Sequence, residues 1–402
     1  MTASTKRIFW TISLSAALIA SVGMGIRQNF GHFLTGMTVD LEIGRETFAF
    51  AMALQNLMWG MFSPITGAIA DKYGSARMIA LGGMVYIVGL TIMANAEGAF
   101  GLNLGAGLFI GFAQAAAGFA VLLGAVARRV SLERRSLALG ITTAGGSFGQ
   151  FYMAPASLGL IETFGWSNAL LYLGGLALVM VAMAPILTGK ASEVTEGDVD
   201  MSLGEAIKEA TANRSYWMLM VGFFVCGFQV AFVAVHLPAF ITDLGLGADS
   251  GAMAIGLIGL FNIIGTYTFG ALGGKYSKKY LLSILYVLRS AVIAVFLLAP
   301  VSELSVLIFS ASLGLLWLGT VPLTSGLVAQ IFGVRYMSTL FGVVFFAHQL
   351  GSFSGIWWGG VSFDATGSYD QIWITSIILG ILAGFAHLPI AEKPLRPVAE
   401  TA

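Results

Sequence analysis

The sequence predicts an all-α membrane protein: twelve transmembrane helices in two pseudo-symmetric six-helix bundles, with both termini cytoplasmic. Three observations predict it. There is a succession of apolar stretches of membrane-spanning length, the basic residues sort by connection, and the second half repeats marks of the first. Of 402 residues, 57% are hydrophobic and 10% charged, against about 25% charged in a soluble domain. Only lipid solvates so much apolar surface.

The stretches fall at 9–36, 46–70, 76–95, 99–127, 135–161, 166–188, 215–243, 250–273, 280–300, 304–332, 337–362 and 369–390. At roughly 20 to 30 residues each, they are long enough to cross a hydrocarbon core. The first is read as a helix rather than a cleaved leader, because it is a full span and runs into the next. The termini and the even connections carry Lys6, Arg7, Lys72, Arg77, Arg128, Arg129, Arg134, Arg135, Lys190, Lys208, Arg214, Lys275, Lys278, Lys279, Arg335, Lys393 and Arg396. The odd connections carry Arg45 alone. Basic residues gather on the cytoplasmic side, which sets the orientation. The remaining two, Arg27 and Arg289, lie within spans.

The longest polar stretch, 190–214, contains Glu193, Glu196, Asp198, Asp200, Glu205 and Glu209 and separates six spans from six. The expected organisation is a bundle over 1–189, a cytoplasmic linker over 190–214 and a bundle over 215–402. Ser202-Leu-Gly-Glu205 fits a capping box, so a short helix is expected to start there. Net charge is zero, which gives no bulk attraction to nucleic acid. One cysteine, Cys226, excludes an internal disulfide and a cysteine-based metal cluster. No cofactor and no metal are expected.

The halves repeat. Gly67-Ala-Ile-Ala-Asp71-Lys72-Tyr73-Gly74 follows the second stretch, and Gly270-Ala-Leu-Gly-Gly-Lys275-Tyr276-Ser277 follows the eighth. Gly124, Gly140, Gly149 and Gly165 match Gly326, Gly342, Gly351 and Gly367 at a constant offset. Two six-helix units related by a parallel repeat, with a site between them near mid-membrane, are the organisation of major-facilitator transporters. The segment Gly67-xxx-Asp71-Lys72-x-Gly74-xx-Arg77 resembles the loop 2–3 motif of that superfamily. The resemblance implies that its acid and base lock the cytoplasmic ends of the halves; the alternative is a solvated charged turn. The second copy has Gly274 in place of the acid.

A narrower resemblance follows. Glu133-Arg134-Arg135-Ser136-Leu137-Ala138-Leu139-Gly140-Ile141-Thr-Thr-Ala144-Gly145 resembles the helix 4–5 motif of monocarboxylate porters. Phe30-Gly-His-Phe33, Asp40-Leu-Glu-Ile-Gly-Arg45-Glu46 and Trp59-Gly60-x-x-x-Pro64 resemble their bacterial members, oxalate/formate exchangers included. In the second half the match rests on His236-Leu-Pro238 and Phe261-Asn262. These bacterial relatives imply a bacterial inner membrane.

Arg27 is the leading candidate ligand. An intramembrane Arg costs roughly 2.5–3.5 kcal/mol at the centre of a span. None of the twenty acidic residues lies clearly inside a span, so water, carbonyl dipoles or an anionic substrate must compensate. A guanidinium matches a carboxylate with two parallel hydrogen bonds. Ala20, Gly23, Met24, Arg27 and Gly31 share one helical face, which leaves room beside the guanidinium. The porters carry a basic residue at this aligned position, which implies a carboxylate ligand. The alternative is a side chain that snorkels or caps a neighbouring helix.

The chain departs from the porters in the eighth span. The animal proteins carry an Asp and an Arg four residues apart there, and the oxalate exchangers keep the Arg. Aligned on Gly270, those positions hold Asn262 and Thr266. A second cationic anchor and the coupling carboxylate are missing, which argues against a dicarboxylate and against proton coupling by the animal scheme. Arg289, in the ninth span, is read first as a packing or carbonyl contact.

His348 and His236 are candidate proton sites, because an unperturbed imidazole titrates near pH 6.5. His348 reads equally as a neutral hydrogen-bonding histidine that holds a helix contact, and His236, beside an expected break at Pro238, reads first as a structural one. Gln114, Tyr152, Gln229 and Asn262 are further candidate substrate contacts, on spans that line the cavity by family analogy.

These readings imply a secondary transporter of a small organic anion, first a monocarboxylate, working as a monomer by symport or antiport. The alternative within the superfamily is an exporter of drugs or other metabolites. It is disfavoured because no embedded carboxylate would hold a cation and Gln150, not Pro, follows Gly149. An enzyme would need a convergent nucleophile, base or metal set, which the sequence does not offer.

Overall fold

The computed structural model describes residues 3–189 and 201–396. The linker residues Lys190, Glu193, Glu196, Asp198 and Asp200 lie outside the described residues. The described elements are all helical. The chain opens with α1 (Ala3–Gln28), a 3₁₀ turn (Phe30–Phe33) and α2 (Leu34–Asp40), followed by α3 (Arg45–Tyr73) and α4 (Ser75–Ala94). Next come α5 (Ala99–Leu102), a π-helical turn (Asn103–Phe109), α6 (Ile110–Ala117), α7 (Phe119–Arg129) and α8 (Leu132–Met183). A 3₁₀ turn (Ala184–Leu187) closes this part. Beyond the linker stand α9 (Leu203–Ala212), α10 (Arg214–Asp243), α11 (Ala248–Leu272), α12 (Lys278–Leu298), α13 (Glu303–Leu315), α14 (Thr320–Phe332), α15 (Met337–Thr366) and α16 (Asp370–His387).

Ten helical stretches are long and apolar enough to cross a membrane. One of them contains α8, which runs two expected spans together across Gly165, where φ is 77°. The 29-residue α3 stands outside the ten, because Gln55 and Asn56 depress its mean hydropathy. Large apolar side chains such as Leu298, Val295 and Phe385 point outward, as they do where the outer face meets lipid rather than water.

Three expectations about continuity change. The fourth stretch breaks at Gly118, whose ψ of −165° separates α6 from α7. The tenth breaks over residues 316–319, between α13 and α14. Pro238 leaves α10 unbroken; in this long helix the carbonyl freed by the missing N–H is tolerated because neighbouring groups re-satisfy it. In α9 the capping box is formed: the Ser202 N–H donates to Glu205 Oε2 at 2.7 Å, and the Glu205 N–H donates to Ser202 Oγ at 3.3 Å.

The packing has an internal echo. α1 lies against α8, and α10 lies against α15. Both contacts are so close that a Cβ on Gly149 would collide with the Ser21 carbonyl, and one on Gly351 with the Phe224 carbonyl. Tyr86 donates to the Gly23 carbonyl at 2.9 Å, and Tyr286 donates to the Gly222 carbonyl at 2.6 Å. The parts before and after the linker meet along two seams, α3 against α15 and α8 against α11. At the second, Gly140 and Gly270 bring backbones into contact: a Cβ on Gly140 would stand 2.7 Å from the Gly270 Cα.

Candidate functional site

Arg27 stands in the last turn of α1. A cation there interacts favourably with the helix C-terminus, by about 0.3–1 kcal/mol at exposed sites. Its Nη2 donates to Asn56 Oδ1 at 2.5 Å, and its guanidinium carbon lies 4.8 Å from the Trp59 ring centroid. Both partners come from α3. Among the described residues no carboxylate pairs with it. On the same face of α1, the Gly23 carbonyl is occupied by Tyr86 and by Gln114 Nε2 at 2.9 Å. A Cβ at Gly31 would meet nothing within 4 Å.

From Arg27 a chain of polar contacts crosses the α3–α15 seam. Gln349 Nε2 reaches both the carbonyl and the side-chain oxygen of Asn56 at 3.4 Å. Gln349 Oε1 meets His348 Nδ1 at 3.0 Å. His348 is buried, stacks on Phe345 with centroids 5.4 Å apart and lies against Cys226. The Cys226 thiol sits 3.1 Å from the hydroxyl of Thr320, the first residue of α14, and 3.7 Å from Arg289 Nη1. At the other seam, Asn262 Nδ2 donates to Ser147 Oγ at 2.8 Å, and Asn262 Oδ1 accepts from the Leu318 N–H at 3.0 Å. Asn262 thus ties the broken tenth stretch to α8.

Arg289 is fully buried. Its Nη2 donates to the carbonyls of Leu316 and Trp317 at 2.5 and 2.6 Å, and its Nη1 donates to Gln229 Oε1 at 3.1 Å. It closes the C-terminal end of α13 and faces α10 rather than the seam. Gln229 also donates to the Ser376 carbonyl at 2.8 Å, so it is committed within the C-terminal part. His236 contacts the Ile356 carbonyl at 3.0 Å and packs beside Tyr369. Tyr152 accepts a long bond, 3.4 Å, from Ser21. The structure therefore brings Arg27, His348 and Asn262 to the two seams. It places Gln114, Gln229, Arg289 and His236 in contacts that hold helices together.

The loop motif works through partners that the sequence did not single out. Asp71 is fully buried, and its Oδ1 pairs with Arg128 Nη1 at 2.6 Å. Its Oδ2 accepts from the Thr339 N–H at 2.8 Å and from the Thr339 hydroxyl at 2.7 Å. Thr339 lies in the first turn of α15, where unpaired N–H groups and the helix dipole favour an anion. Arg128 also donates to Ser75 at 2.5 Å and to Ser338 at 3.3 Å. Lys72 and Arg77 are exposed, and Lys72 lies over the Tyr73 ring. The base paired with Asp71 is thus Arg128, not Lys72.

Gly74, with φ of 107°, makes the turn from α3 into α4. A Cβ at Gly67 would collide with the Ser338 carbonyl, so Gly67 lets α15 approach. Arg134 lies over the Phe9 ring, and Arg135 Nε donates to the Ala127 carbonyl at 3.0 Å. In the second copy, Gly274 and Gln330 stand where the first has Asp71 and Arg128, and Gln330 bonds Lys278 at 2.7 Å.

Asn56, Gln349, Arg128 and Thr339 are the site contacts hardest to see in the sequence. In the sequence Asn56 is one polar residue within a span, and Arg128 one more charge of a connection.

Two bundles thus meet along two seams around buried polar groups. The Major Facilitator Superfamily model matches residues 13–356. The chain belongs to the major facilitator superfamily. Its superfamily relatives are membrane transporters, not enzymes, and this chain is a multi-pass membrane transporter. It is 24% identical over 413 residues to the uncharacterized MFS-type transporter YcxA of Bacillus subtilis (strain 168), covering 97% of each chain. It is 25% identical over 394 residues to monocarboxylate transporter 11 of Homo sapiens, covering 94% of this chain and 82% of that one. Its fold matches that of the proton:xylose symporter XylE with a TM-score of 0.73 at 14% identity, covering 97% of this chain and 98% of the other.

Proposed function

We propose that this major-facilitator transporter carries small monocarboxylates across a bacterial inner membrane by alternating access, as a monomer, with Arg27 as the anion ligand. The observation that carries this reading is the Arg27 guanidinium, placed at a helix end in the bundle interior with a carboxamide and an indole as partners and no carboxylate among the described residues. A buried cation in that setting is stabilised by an incoming anion, and a charge-assisted bond is roughly twice as strong as a neutral one. The likeness to monocarboxylate transporter 11 supports the same class.

The proposed architecture is twelve spans with both termini cytoplasmic. It counts α3 as the second span and divides α8 at Gly165, with bundles at 1–189 and 215–402 and the linker at 190–214. In that topology the Asp71–Arg128–Thr339 cluster lies on the cytoplasmic side and acts as the lock that holds that end closed. His348 is the proposed group for a proton-coupled step.

The test is uptake of labelled formate, acetate, lactate and pyruvate into proteoliposomes, wild type beside Arg27→Gln, with and without a pH gradient. Uptake that Arg27→Gln abolishes while the variant remains monodisperse is the expected outcome. Stimulation by the gradient indicates proton coupling; stimulation by internal anion alone indicates exchange. Wild-type affinity in Arg27→Gln would remove Arg27 from the site. Absence of uptake for every anion would favour the exporter reading.

A further inference from the structure

The Arg27 guanidinium is already held. Its partner Asn56 belongs to α3, and Gln349 reaches the same Asn56 from α15, across the seam. We propose that Asn56 is an internal stand-in for the substrate carboxylate, and that its displacement by an incoming anion is what transmits occupancy to α15. This rests on Arg27 as the anion ligand.

The chemistry favours exchange in one direction. The Asn56 oxygen is a neutral acceptor, and a carboxylate outcompetes it for a guanidinium because the bond becomes charge-assisted and bidentate. Asn56 Nδ2 is meanwhile anchored to the Met52 carbonyl at 3.0 Å. A displaced Asn56 therefore turns about that anchor rather than leaving the helix. The Gln349 contacts at 3.4 Å are long and the first to be given up when the amide turns. Gln349 answers with its carboxamide alone. Its stem is pressed against α3 at Gly60, where an added Cβ would stand 2.8 Å from the Gln349 Cβ.

The disturbance passes to His348 through the 3.0 Å contact with Gln349, and on to Cys226 and Thr320 at the start of α14. Asn56 and Gln349 are positioning residues in this scheme. Neither has to touch the substrate.

The test uses the full chain in two readouts. In the first, with [¹⁴C]pyruvate uptake as the probe, Asn56→Asp supplies a tethered carboxylate and is expected to raise KM at least tenfold at pH 7.5. Asn56→Ala removes the competitor and is expected to lower KM three- to tenfold while lowering kcat, because binding no longer signals. A wild-type KM in Asn56→Asp, or a raised KM in Asn56→Ala, overturns the proposal. If Arg27→Gln retains wild-type uptake, the underlying reading fails instead. The second readout needs no substrate. Asn56→Asp is expected to melt above both the wild type and Asn56→Ala at pH 7.5, and to lose that gain when combined with Arg27→Gln. An Asn56→Asp protein that melts below wild type sinks the stand-in role whatever the transported anion.

Discussion

Two arginines lie within spans of this chain, and the same side chain serves opposite ends. Among the described residues Arg27 has one side-chain hydrogen-bonding partner, a carboxamide. Arg289 has both terminal nitrogens engaged inside the C-terminal part, by Leu316, Trp317, Gln229 and Cys226. Arg289→Met would strand those buried acceptors, at a cost of about 1–3 kcal/mol for each left unsatisfied. The expected result is a melting temperature several degrees lower in detergent, with pyruvate KM close to wild type; a large KM change at unaltered stability would move Arg289 into the binding machinery. His348 presents a different test. It is buried, yet it lies on the polar path from Arg27 to Cys226. If it carries the coupled proton, His348→Gln should flatten the pH profile of uptake. A profile of unchanged shape would leave His348 a packing group.

At the scale of elements, close crossings and helix breaks define the cavity walls. Gly149 and Gly351 occupy equivalent crossings, and a side chain at either collides with backbone, not with a flexible side chain that could move aside. Overpacking of this kind costs about 1–3 kcal/mol, occasionally more. Gly149→Val and Gly351→Val are therefore both expected to lower thermal stability, and by comparable amounts, because the contacts are copies of each other. A neutral result at one alone would show that the two crossings differ in function.

These crossings were legible in the sequence as glycines at a fixed offset. The superfamily was legible too, through charge asymmetry and the loop motif. The breaks at Gly118 and at 316–319 were not. Apolar residues continue on both sides of each, so neither hydropathy nor charge changes where the backbone does. The Arg27–Asn56 and Asp71–Arg128 pairs were hidden for another reason. Each joins residues from different helices, and spacing along one helix carries no information about which helix lies opposite.

Across the whole molecule, the seams close from one end up to mid-span. Asp71 and Arg128 reach Ser338 and Thr339 at one end, Ser63 meets Gly342 above them, and, among the described residues, the seam hydrogen bonds extend as far as Asn56–Gln349 and Ser147–Asn262. The lock is a buried ion pair on a helix N-terminus, and breaking such a pair from one side costs about 3–5 kcal/mol because the surviving charge stays desolvated. In Asp71→Asn the surviving charge is Arg128, and opening of this end would hydrate it. The penalty therefore falls on the closed state and shifts the population toward the open one, by about tenfold for each 1.4 kcal/mol. Ser63, buried at the seam, is a reporter of that shift. In a Cys226→Ser background carrying Ser63→Cys, Asp71→Asn is expected to raise the rate of labelling by a membrane-impermeant maleimide, applied from the side bearing the lock, by at least tenfold. Lys72→Ala in the same background should leave the rate unchanged, since Lys72 is exposed and takes no part in the pair. Equal rates for Asp71→Asn and its parent would mean that the glycine crossings, and not the ion pair, hold this end closed.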